Sequence, residues 1–173
     1  FWRLGELKDL EKAIEHNSHA IALTPDGHPN MPRQLSQLGT SYGSRFLSLG
    51  KMEDLEQSIE YSSHAIALTP DGHPDMSQYL TTLGMSCGSR FQLLGELGDL
   101  EKMVEHYARA LALTPNEHPD MPRRLSNLGN SYDSRFQRLG ELKDLEKAIE
   151  LNSRAIALTP DDHPDMPRQL FDL

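Results

Sequence analysis

Asp144-Leu-Glu-Lys-Ala-Ile-Glu-Leu-Asn-Ser-Arg-Ala-Ile-Ala-Leu-Thr-Pro-Asp-Asp-His-Pro-Asp165 is one of four copies of a single pattern. The others run from Asp9 to Asn30, Asp54 to Asp75 and Asp99 to Asp120, always 45 residues apart and without a gap. A strict period of this length marks a tandem array, in which each unit is too small to bury its own apolar face and stacks on the next. Residues 1–173 are therefore read as one array with units 1–45, 46–90, 91–135 and a partial 136–173. Residues 1–38 and 136–173 differ at only seven positions.

Within the second unit the spacing predicts two helices. Leu55, Ile59, Ser62, Ala65 and Ile66 lie three and four apart, giving one face of a helix over about Asp54 to Thr69. Asp54 stands at or near its N-terminus, where a carboxylate favours the free N–H groups, and Pro70 stops it. A turn-rich Asp71-Gly72-His73-Pro74-Asp75 follows, with Asp75 placed to cap a second helix. That helix runs over about Met76 to Leu94, with Leu80, Leu83, Cys87, Phe91 and Leu94 on its apolar face. Gly5, Gly50, Gly95 and Gly140 share a slot expected to close such helices in the left-handed conformation. Apolar–polar alternation is absent, so the fold class is all-α, a solenoid of antiparallel helix pairs.

Composition narrows the chemistry. The net charge of −9 is spread along the units, which argues against nucleic acid or an anionic membrane as partner. Cys87 is the single cysteine, so no intrachain disulfide forms. It occupies the slot of Tyr42 and Tyr132 and is read as a small core substitute that loosens packing. His28, His73, His118 and His163 recur in the links. Successive copies should lie about 16–20 Å apart, too far for one metal, so they are read as partners of backbone groups. His16, His19 and His64 fall on helix surfaces. Glu11 and Glu15 and their equivalents alternate with Lys12, Lys102 and Lys147 as solvated charges. Arg45, Arg90 and Arg135 are expected to pair with acids of the adjoining unit's helix. No catalytic residue, cofactor or metal is assigned, and the chain is not read as an enzyme.

Leu35-x-x-Leu38-Gly39-x-x-Tyr42, later Ser58, Ala65 and Pro70, resembles the tetratricopeptide repeat. The third unit offers Leu80, Leu83-Gly84, Cys87, Met103, Ala110 and Pro115; the fourth offers Leu125, Leu128-Gly129, Tyr132, Ala148, Ala155 and Pro160. This unit is 45 residues where that family's usual unit is 34, and Leu replaces the usual Trp. The motif combination is also similar to long fungal arrays often found beside a CHAT domain; no such domain is present, so its proteolytic activity is not carried over. The resemblance implies a right-handed superhelix whose first helices line a concave groove. Its wall would be Arg33, Ser36, Gln37, Thr40 and Ser44, then Gln78, Thr81, Thr82, Met85 and Ser89, then Arg123, Ser126, Asn127, Asn130 and Ser134. Such short hydrogen-bonding side chains suit an extended peptide. The family's carboxylate clamp is not expected, because Ser36, Thr81 and Ser126 stand where it needs Lys.

Two functions follow as expectations. One is a protein–protein interaction scaffold in the cytoplasm. The other is an architectural, extracellular filament in which near-identical units stack end to end across copies of the chain.

Overall fold

The computed structural model describes residues 2–159, with side chains from residue 7. His163, Pro160, Pro167 and the rest of the last link and helix lie outside them. Seven helices follow in order: α1 (Trp2–Leu23), α2 (Met31–Leu49), α3 (Met52–Ala67), α4 (Met76–Leu94), α5 (Leu97–Ala112), α6 (Met121–Leu139) and α7 (Leu142–Leu158). No strand occurs among the described residues. α2/α3, α4/α5 and α6/α7 are the tight pairs, each packed on the next, and α2 also touches α4 directly. The first helices of consecutive pairs thus stand side by side, and the fold is an all-α solenoid.

The apolar stripes account for the core. Leu38, Leu55, Leu80, Leu100 and Leu125 are essentially inaccessible, as are Ala65, Ala110 and Ala155 on the second helices. Leu94, expected on the apolar face, is instead 53% exposed, because it sits in the last turn where the pair has ended. Gly50, Gly95 and Gly140 take φ near +70° and donate their N–H groups to the carbonyls of Phe46, Phe91 and Phe136 at 2.7 Å. A side chain there would meet the left-handed penalty, so glycine sets where the first helix stops. Gly5 departs from this expectation. α1 runs through it as continuous helix.

One capping expectation holds and one needs correction. α3 begins at Met52, so Asp54 lies in its first turn, near the N-terminus as expected. Asp75 does occupy the cap of α4 but makes no capping bond with its side chain. The link histidines take part of that role. His28, His73 and His118 accept the backbone N–H of Asn30, Asp75 and Asp120 at Nδ1, each at 3.1 Å.

Candidate functional site

Each helix pair is locked by one buried ion pair. Asp54, Asp99 and Asp144 are nearly inaccessible in the first turn of α3, α5 and α7. The Nε and Nη2 of Arg45, Arg90 and Arg135, near the end of the preceding helix, each bind one aspartate through both oxygens at 2.5–2.9 Å. Two parallel charge-assisted bonds fix both distance and orientation. Asp144 is held below the usual carboxylate range by its bond from Arg135, and the three arginines are raised by theirs. Arg45 and Arg135 also lie over the rings of Tyr42 and Tyr132, at 5.2 and 5.1 Å from the centroids.

On the side lined by the first helices, two adjoining depressions share Thr40, Gln78 and Thr82. The larger, about 500 Å³, brings together Arg33, Gln37, Thr40, Gln78 and Thr82, with Asn17 of α1 and Asp75 at its edges. The smaller, about 240 Å³, adds Arg123 of α6 and the apolar Leu47 and Met85. Arg33, Gln37 and Gln78 are exposed. Arg123 reaches back to the Gln78 Oε1 at 3.5 Å while paired with Asp120 at 3.1 Å. Asn127 and Asn130 lie farther along α6, half-buried and outside both depressions. Asn130 accepts a bond from Asn152 of α7 at 3.2 Å. Thr81, expected on the groove wall, is fully buried. It sits beneath Arg124, whose Nη1 donates to the Thr81 hydroxyl and the Ser77 carbonyl, both at 2.8 Å.

Arg124 was not anticipated. It stands where Gln34 and Tyr79 stand in the other units, so its slot carries no recurring signal. Its guanidinium is buried and its pKa is lowered by that desolvation, yet it pins α6 to α4 across the pair boundary. Departure from the repeat at one slot is the only trace it leaves in the sequence.

The solved structures that this architecture resembles share its repetition. A Podosopora anserina kinesin-light-chain-type protein with nearly identical TPR-like repeats aligns over 97% of this chain and 77% of its own, at 16% identity and a TM-score of 0.68. A substituted form of that protein aligns over the same shares at 15% identity and a TM-score of 0.70. The MamA protein aligns over 90% of this chain and 70% of its own, at 19% identity and a TM-score of 0.56. The tetratricopeptide repeat family model matches residues 92–117, which span the end of α4, α5 and the start of the next link. The fold is that of a tetratricopeptide-like helical solenoid. No curated protein matches this chain.

The other groups singled out in the array fall into structural places. Glu11, Glu15 and their equivalents are exposed, as are His16, His19 and His64. Among the described residues no three His, Cys, Asp or Glu side chains come close enough to hold a metal ion, and no helix is long and apolar enough to cross a membrane. Cys87 is 1% exposed, and burial pushes its thiol up to about 11. A shift of this size leaves roughly 100-fold less thiolate near neutral pH than an ordinary cysteine has. Native protein mixed with a thiol reagent such as DTNB should therefore react at a small fraction of the rate seen after denaturation. Equal rates before and after denaturation would contradict the buried placement.

Proposed function

We propose that the array is a non-catalytic protein-interaction scaffold that binds an extended peptide along its first helices. The observation that carries this reading is the pair of contiguous depressions across α2, α4 and α6, joined through Thr40, Gln78 and Thr82. An extended backbone needs donors and acceptors at intervals, and Asn17, Gln37 and Gln78 supply both from three different helices. Among the described side chains Arg33 has no carboxylate within ion-pair distance, unlike Arg45, Arg90, Arg123 and Arg135. Its charge is available to a ligand. Leu47, 71% exposed, and Met85, 50% exposed, offer an apolar stop for a side chain farther along. Asn127 and Asn130 extend the same helix face on α6 and would meet a longer peptide.

The test starts from peptides selected on the intact chain from a random extended library. Arg33→Ala, Gln37→Ala and Gln78→Ala together should weaken the selected peptides by at least about tenfold, as two or more lost hydrogen bonds imply. Thermal stability should be unchanged, since all three side chains are exposed. Undiminished binding in the triple variant would remove this groove as the binding surface.

A further inference from the structure

The turn from the first to the second helix of each pair sets exposed leucines at one edge of the array. Leu49, Leu94 and Leu139 end α2, α4 and α6, and Leu97 and Leu142 open α5 and α7. All five are between 40% and 67% exposed. α1 runs straight through the corresponding Gly5, so three such turns occur among the described residues, with Leu94 and Leu97 in the middle one. The charges beside these leucines break the period. Lys51 and Glu53 flank Met52, whereas Glu141 and Lys143 flank Leu142, so the two outer turns carry opposite signs in the same two slots. All four side chains are exposed, and none has an ion-pair partner among the described residues. The opposite edge also bears exposed leucines, Leu23, Leu68, Leu113 and Leu158. Its links 24–30, 69–75 and 114–120, however, carry acids and no Lys or Arg.

We propose that the edge centred on Leu94 and Leu97 is a self-association surface, on which two copies of the chain pair antiparallel about a two-fold axis. Sign and spacing select this occupant. A second copy repeats its leucine clusters at the same 45-residue interval, and reversing its direction sets one outer turn on the other. Each turn crosses from the layer of first helices to the layer of second helices. A two-fold axis along that crossing reverses the order of units and leaves the crossing direction unchanged, so like slots meet. Lys51 then faces Glu141 and Glu53 faces Lys143, each twice by symmetry. The same axis keeps the concave sides of both copies together, so two curved edges follow one another over all three turns. A parallel pairing would make them curve apart. The area suffices. Three turns, each about 16–20 Å along the array and about 20 Å across, offer about 1,000 Å², against the about 800 Å² that each partner gives to a standard interface. Acids on both sides make the opposite edge repel its own copy.

Sedimentation equilibrium of the intact chain over a concentration series reads the pairing. A monomer–dimer equilibrium is expected. Monomer throughout overturns the proposal, and so does a mass that keeps rising past the dimer, because a two-fold contact closes. Leu97→Asp places two like charges at the axis and should weaken the dimer at least about tenfold. Leu113→Asp, on the opposite edge, should leave it unchanged, and equal effects of the two overturn the choice of edge. Lys51→Glu and Glu141→Lys should each weaken the dimer about tenfold, and the two together should restore it. Each swap copies a residue found in that slot of another turn, so the fold accommodates it. A combined variant as weak as the single ones overturns the antiparallel register. Recovery in Lys51→Glu with Glu53→Lys instead marks a parallel pairing and overturns it as well. Glu96, in the middle turn, is set against its own copy, so Glu96→Gln should tighten the dimer, and a looser one overturns the two-fold axis.

Discussion

Arg90→Ala is expected to lower the unfolding free energy by about 3 kcal/mol, the low end of the range for breaking a buried ion pair by removing one partner. The low end applies because a quarter of the Arg90 side chain is exposed, whereas only 6% of Asp99 is. The loss comes less from the missing attraction than from the aspartate left behind. Asp99 would remain buried in the first turn of α5 with its carboxylate unpaired. Asp99→Ala should also destabilise, and the double variant should lose clearly less than the sum of the two, because neither charge is then stranded. Urea unfolding of the four proteins checks this, and additive losses would show that the pair is not a unit. The pH dependence has a definite sign. The folded pKa of Asp144 is depressed by Arg135, so its stabilisation is present above the unfolded carboxylate value of about 3.9 and is lost as pH falls through the lower folded value. The array should weaken below about pH 4, and Asp144→Asn should flatten that part of the profile.

Gly84→Ala should destabilise by about 1–3 kcal/mol, the scale of forced overpacking in a tight core. Inside a helix, Gly→Ala by itself favours the helix by up to about 1 kcal/mol, so the sign is set by what the added carbon meets. At Gly84 it would lie 2.8 and 2.9 Å from two ring carbons of Tyr107 on α5. Tyr107 is largely buried, so its ring has no room to retreat. Gly39 meets Ser62 in the same way, and Gly129 meets Asn152. The Leu-Gly pair of each first helix is therefore a point of close approach between the two helices of a pair. Gly98→Ala is the control, because nothing lies within 4 Å of the added carbon, and it should not lower stability. A Gly84→Ala protein as stable as the parent would mean that the approach is looser than these distances.

The parts of this fold that were legible in the sequence are those set by local chemistry repeated in register. α4 spans Met76–Leu94 as its spacing and punctuation predicted, and glycine closes α2, α4 and α6. The pairing of Arg45, Arg90 and Arg135 with acids of the following helix was legible because both partners recur nine residues apart. What escaped were places where tertiary packing overrides a local signal. Gly5 has the same local sequence as Gly140 but lies within a continuous α1. Asp54 reads as a charge that serves the free N–H groups of its helix, yet its carboxylate turns to Arg45. Arg124 and Thr81 exchange a bond over 43 residues, which no window along the chain contains.

Each helix in this stack packs chiefly on its immediate neighbours in the chain. Such a body behaves as a spring made of separable coils. Pulled from its ends, it yields one helix pair at a time, and each event frees a 45-residue length of chain. That length extends to about 150 Å. The rupture points are the boundaries between pairs, and the Arg124 bonds to α4 make one boundary stiffer than a purely periodic chain would have.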